Sequence, residues 1–265
     1  MQYLFLFFIF IFGLIIGSFL NCLIWRLHKE ESMWGRSYCP KCKKQIAWYD
    51  NIPVLSFCFL LGKCRHCRKA ISWQYPAVEL ITGMLFLISC ILESGIWNQA
   101  NQFLIPDSQF LIHIFRDWLL ISVMIVVFIY DLRWYLILDI VTLPACIIFL
   151  FFNIFLGLGW TNILYAGLIG VVFFGAQFLV SRGKWIGGGD IRLGLLMGLA
   201  LGRVDLTILA IMIAYFIGSI VGVGLIVGGK KKWGSKLPLG VFLSVATIIT
   251  LFWGQEIIAW YFNML

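Results

Sequence analysis

Apolar positions along this chain fall in eight long runs separated by short polar stretches. They cover about residues 3–25, 77–93, 112–130, 136–157, 161–181, 190–202, 205–228 and 237–263. Most approach the roughly 20 residues a helix needs to cross the hydrocarbon core. The pattern predicts an all-α polytopic membrane protein of about eight transmembrane helices. Its one long polar interruption predicts three parts: a first transmembrane helix over 1–25, a small cytoplasmic loop domain over 26–76, and a seven-helix membrane domain over 77–265. The sixth run, with Gly194, Gly198 and Gly202, is short. Small residues let helix backbones approach closely, so this helix is expected to pack centrally and not to span in the ordinary way.

Composition agrees with the pattern. The chain has 265 residues, 62% hydrophobic and 12% charged, too little polar surface to clothe a soluble domain of this size. The net charge of +8 raises nucleic acid as a partner, but eighteen of the twenty Lys and Arg fall in loops that alternate onto one side, leaving Arg116 and Arg203 opposite. By the positive-inside rule those loops are cytoplasmic and the N-terminus is outside. The positive charge therefore faces anionic headgroups of the lipid bilayer, and no nucleic acid is expected. The first run is too long for a signal-peptide core and its charges follow it, so it is expected to be retained as a span.

The polar interruption holds half of all Lys and Arg, with Cys39-Pro-Lys-Cys42 and, 21 residues on, Cys64-Arg-His-Cys67. Two such knuckles can offer four thiolates to one tetrahedral zinc, a closed and therefore structural site. His66 is an alternative ligand, and free thiols are the bland reading. Disulfides are not expected on the reducing side. Cys22, Cys58, Cys90 and Cys146 lie in apolar sequence, where Cys behaves as a small hydrophobe.

Two acidic motifs remain. Asp131 begins Asp-Leu-Arg-Trp-Tyr-Leu-Ile-Leu-Asp139 between the third and fourth runs, and Gly187-Gly-Gly-Asp190 opens the sixth. Both Asp fall at one membrane face. An ionisable residue near hydrocarbon is a functional candidate by default, and three glycines before Asp190 would free its backbone from helical geometry. Two carboxylates at contact distance share a proton, so one can act as base on a water while the other acts as acid. Helix capping explains either Asp equally well. Asp139 is the rival for the first position, as a catalytic group, a cap or a partner of the pair. Glu79 is a candidate for holding a substrate amine or a methyl donor, or else a helix N-terminal charge.

In order along the chain stand Gly17-Ser-Phe-Leu-Asn21 with Arg26-Leu27, the four-Cys loop with Trp48-Tyr-Asp-Asn-Ile-Pro53, Gly62-Lys-Cys64, Ile71-Ser72, Tyr75-Pro-Ala-Val-Glu79-Leu80, Asp131 with Asp139, Gly187-Gly-Gly-Asp190 and Leu237-Pro-Leu-Gly240. In these the chain resembles the type IV prepilin peptidase (leader peptidase) and N-methyltransferase family over nearly its whole length. The resemblance implies an eight-span aspartic endopeptidase of the bacterial inner membrane. It would cut the basic leader from prepilins or pseudopilins of type IV pilus or type II secretion systems at the cytoplasmic face, with Asp131 and Asp190 catalytic. It also implies S-adenosylmethionine-dependent methylation of the new N-terminus. The chain departs from the family at Leu138, where proline is usual, which puts the local turn in question. The enzyme's positive charge would not attract a basic leader, leaving Asp50, Glu30 and Glu31 as candidate contacts.

Three rival readings differ in class or substrate. Presenilin-type intramembrane proteases share Gly-x-Gly-Asp but lack the four-Cys loop. A transporter could use paired Asp to bind a cation, and a zinc-bearing assembly protein would need no catalysis. Neither explains the ordered motifs.

Overall fold

A computed structural model describes residues 2–94, 108–232 and 234–264. Among them are nine helices: α1 (Gln2–Lys29), α2 (Leu55–Phe59), α3 (Gln74–Glu93), α4 (Ser108–Trp134), α5 (Asp139–Phe155), α6 (Trp160–Ser181), α7 (Gly188–Leu201), α8 (Val204–Val227) and α9 (Leu239–Asn263). A 3-10 turn covers Trp48–Asn51. No strand occurs among the described residues, only two isolated bridges. The fold is all-α, as the apolar runs predict. Six helices (α1, α3, α4, α6, α8, α9) are long and apolar enough to cross a membrane, while α5 is apolar but shorter. α7 has 14 residues and reaches about 21 Å, short of the hydrocarbon thickness. The external loop expected around 93–113 lies mostly outside the described residues.

The chain forms two compact units, Met1–Ile125 and Val126–Leu265. In the first, α1 and α3 pack antiparallel through glycines. A Cβ on Gly13 would stand 2.7 Å from the Gly83 Cα, and one on Gly17 would stand 2.7 Å from the Glu79 Cα. Where lipid is as apolar as the side chains, close backbone packing of this kind supplies the association. Arg26, 7% exposed, folds the chain back after α1: its guanidinium donates to the carbonyls of Ser32, Met33 and Gly35.

In the second unit α7 touches α5, α6, α8 and α9, the central place its small residues predict. Leu193, Leu196 and Met197 are fully buried. A Cβ on Gly198 would fall 2.2 Å from the Ala166 carbonyl oxygen, and one on Gly170 would fall 2.2 Å from that of Gly194. The α7 C-terminus is held by Asn153 of α5, whose Nδ2 donates to the carbonyls of Leu199 (2.6 Å) and Ala200 (3.0 Å). Those carbonyls have no partner within the helix.

Candidate functional site

α4 ends at Trp134, followed by Tyr135 in the left-handed region (φ 54°). Leu138 then takes φ −84°, ψ 120° as the residue before α5. That is close to what a proline would adopt, so the departure at Leu138 leaves the turn intact. Asp131 sits one turn before the end of α4 and is 5% exposed. Its Oδ2 accepts the N–H of Val241 at 3.2 Å and also interacts with the Gly240 N–H. Both amides belong to the first turn of α9 and have no intrahelical acceptor. A Cβ on Gly240 would stand 2.9 Å from that same Oδ2, so Leu237-Pro-Leu-Gly240 makes a helix start open enough for a carboxylate from α4 to cap it.

Asp190 is 8% exposed. Its Oδ2 accepts the Gly187 N–H at 2.9 Å, the carboxylate half of a capping box, with glycine lacking the side chain for the other half. The three preceding glycines do not break the helix. Gly187 is extended (φ −87°) and Gly188 and Gly189 open α7 regularly, which corrects the expectation of irregular backbone. Close approach is the use of one of them: a Cβ on Gly189 would lie 2.9 Å from the Ile137 Cβ. Ile137 also reaches Gly240, whose ideal Cβ would be 3.3 Å from Ile137 Cδ1. One buried side chain in the α4–α5 turn thus packs against both helix starts. Two helix N-termini, each carrying partial positive charge, converge on two carboxylates.

Asp139 is not drawn in with them. As the first residue of α5 it pairs with Arg192 of α7, both about half exposed. Glu79, 7% exposed, lies in the first unit, where its Oε2 accepts the Val54 N–H at 2.7 Å and it also bonds Ser18. It ties the four-Cys segment to α1 and α3. Asn21 does similar work, donating to the Tyr75 carbonyl at 3.0 Å. The apolar pattern gave no sign of Asp117, 3% exposed and paired with Arg116 at 2.7 Å, nor of the role of Asn153. The only signal for either was a polar residue inside an apolar run.

The four Cys assemble in the first unit through a short internal repeat. In the first knuckle the Cys39 N–H donates to the Lys44 carbonyl, and the Lys43 N–H donates to the Cys39 carbonyl. The second repeats both bonds 25 residues on, from Cys64 to Lys69 and from Arg68 to Cys64. Lys43 (φ 59°) and Arg68 (φ 54°) are both left-handed. The bridges Tyr38–Gln45 and Lys63–Ala70 flank the two turns. All four Sγ atoms lie within 4.8 Å of one another, with Cys39 and Cys67 4.0 Å apart. Tetrahedral zinc with Zn–S near 2.3 Å sets sulfurs about 3.8 Å apart, so the cluster fits the ion with a small contraction. Backbone N–H groups of Cys67 and His66 aimed at Cys64 bring its thiol down to about 7, while Cys42 in the same cluster is pushed up to about 11, so the fit to a metal rests on the geometry of the four sulfurs. Asp50 and Glu31 are engaged here too. Asp50 takes a bidentate pair from Arg65 (2.6 and 2.8 Å) that holds it below its usual range, and Glu31 accepts the Tyr38 hydroxyl. Both carboxylates thus have partners within the module.

Fold and site together define a polytopic helical membrane protein with a buried pair of carboxylates at helix starts and a four-thiol cluster. The Bacterial Peptidase A24 N-terminal domain model matches residues 11–92, and the Type IV leader peptidase family model matches residues 118–223, which include both Asp. The chain belongs to the type IV leader peptidase family. It is 32% identical to the prepilin leader peptidase/N-methyltransferase of Bacillus subtilis, covering 97% of each chain. It is 30% identical to that of Aeromonas salmonicida over 96% of this chain and 93% of the relative, and 28% identical to that of Pseudomonas aeruginosa over 92% and 89%. No solved structure matches the chain.

Proposed function

We propose that this protein is an aspartic endopeptidase of the inner membrane that removes the basic leader of type IV prepilins or pseudopilins, with Asp131 and Asp190 as its catalytic pair. The observation that carries the reading is that two buried carboxylates each accept an N–H at a helix start, Asp131 at α9 and Asp190 at α7, while Ile137 lies against glycines of both starts. One ionised carboxylate takes a proton from water as the water oxygen adds to the scissile carbonyl. The other, protonated, donates to the carbonyl oxygen. When the C–N bond breaks, the proton held by the first carboxylate passes to the leaving amine and a hydroxyl of the diol returns its proton to the second, restoring the pair. The α7 and α9 N-termini offset negative charge as it develops. The distribution of Lys and Arg supports a site that opens towards the cytoplasmic side, with the N-terminus outside.

Cys39, Cys42, Cys64 and Cys67 would hold a structural zinc that stabilises a module over 26–76 too small for a sizeable core. Methylation of the new N-terminus from S-adenosylmethionine is proposed on the names of the relatives. The proposed partners are prepilins and the lipid bilayer. Loss of prepilin cleavage in both Asp131→Asn and Asp190→Asn, with the variants still inserted, tests the assignment.

A further inference from the structure

α6 and α8 pack side by side, and between them lies a groove of about 230 Å³ lined by Ile169, Phe173, Ile208, Ile211, Met212 and Tyr215. The α6 residues are four apart and the α8 residues recur at steps of three and four, so each helix offers one continuous ridge. Met212 is 64% exposed and Ile208 44%, leaving outer surface that no described residue covers. One end of the groove is polar: the Tyr215 hydroxyl donates to Gln177 Oε1 at 2.9 Å, and Gln177 Nε2 reaches the Phe173 carbonyl at 3.5 Å.

The polar end is level with the carboxylates. α7 ends at Leu201 and α8 starts at Val204 after a turn through Gly202 (φ 67°). Asp190 lies eleven residues before that turn and Tyr215 eleven after it, each about 16 Å along its helix. α8 runs twelve residues past Tyr215 to Val227, so this level is recessed within the span. Ile208, Ile211 and Met212 all lie on the other side of Tyr215, towards the α7–α8 turn.

We propose that the α6–α8 groove seats the apolar membrane segment of the peptide substrate, and that Tyr215 and Gln177 are positioning residues for the stretch beside the scissile bond. This rests on the catalytic reading of Asp131 and Asp190. A peptide bond can be attacked only once its backbone leaves the helix, and amides freed inside a membrane need protein partners. A hydroxyl and a carboxamide at the carboxylate level supply them, where the rest of the groove is apolar. The polarity runs the right way for a chain whose leader is basic and whose following segment is apolar. The leader extends past the carboxylates, and the apolar helix lies along Met212, Ile211 and Ile208. A lipid chain has no use for the polar end.

The test uses the full-length protein in phosphatidylethanolamine–phosphatidylglycerol vesicles with a prepilin substrate. Met212→Trp, which fills the groove, is expected to raise KM about tenfold with kcat within about twofold. Tyr215→Phe is expected to raise KM several-fold, and Phe216→Trp, on the neighbouring face of α8, to change neither. Benzoylphenylalanine at position 212 in an Asp190→Asn background is expected to cross-link substrate, and the same probe at 216 is not. Unchanged KM together with no substrate adduct at 212 overturns the proposal. So does an adduct to lipid alone, or to a second copy of this chain alone. Cleavage by Asp190→Asn would instead count against the catalytic reading, and the cross-link at 212 would still report on the groove.

Discussion

The Asp131 carboxylate of α4 accepts the N–H of Val241 in the first turn of α9, across 110 residues of sequence. Capping and catalysis, which compete as readings of a lone Asp in a sequence, are compatible here because the helix capped is a distant one. The cap fixes the carboxylate at the α9 start. Asp190 differs in capping the start of its own helix, through the Gly187 N–H. Gly240 is what allows the Asp131 cap: a Cβ there would stand only 2.9 Å from its Oδ2, so Gly240→Ala is expected to displace that oxygen. Its cleavage rate should fall at least tenfold, with insertion into membranes unchanged. A variant with wild-type kcat would show that the cap does not set the geometry.

Asp139→Asn separates the two candidates for the first carboxylate. Its ion pair with Arg192 is about half exposed on both sides, and such pairs are worth about 1 kcal/mol or less. Cleavage within about threefold of wild type is the expected outcome. A loss as deep as that of Asp131→Asn would move the catalytic role to Asp139.

The small-residue seam between α6 and α7 positions Asp190 and makes a stability prediction. Gly198→Val would place a branched side chain where even a Cβ comes within 2.2 Å of the Ala166 carbonyl oxygen. Overpacking of this kind costs about 1–3 kcal/mol or more, so thermal unfolding in detergent should begin several degrees lower. Gly175→Val, where a Cβ meets nothing within 4 Å, should leave unfolding almost unchanged. Equal effects at the two positions would remove the seam from the account.

Metal analysis of the purified protein should find one zinc per chain, released by replacing Cys64 with Ser. Segment 34–73 of that variant should become protease-sensitive while the membrane helices stay folded. Good protein without zinc, or zinc retained by the variant, contradicts the four-thiolate reading.

Asp50 gives the module a defined pH response. Its carboxyl, paired with Arg65, is held below its ordinary 3.8. A carboxyl depressed on folding stabilises above its unfolded value, and that contribution is lost as pH falls through the folded value. The difference in amide exchange between wild type and Asp50→Asn should therefore be flat from pH 5 to 8 and shrink only below about 3.8. Arg65 is half exposed, so solvent screens the pair and keeps the effect small. A difference that changes between pH 5 and 8 would mean another group titrates with the segment.

The sequence reveals the apolar runs because a helix in lipid must be apolar throughout, and the four Cys because metal geometry fixes their spacing. It also points to α7 as central, through its glycines. Four features depend on contacts far apart in the chain and leave no local trace: the Asp131 cap on α9, the Asn153 clasp on α7, the Asp139–Arg192 pair and the Glu79 bond to Val54. Gly187-Gly-Gly is a different case. Glycine permits both irregular backbone and close approach, and only the position of Ile137 decides between them.

Cleavage of a prepilin by wild type, Asp131→Asn and Asp190→Asn in membranes, with the mass of the product N-terminus read alongside, tests the central claim most directly. The account predicts no cleavage by either variant at wild-type membrane levels, and a wild-type product carrying one added methyl. Substantial cleavage by either variant would contradict it.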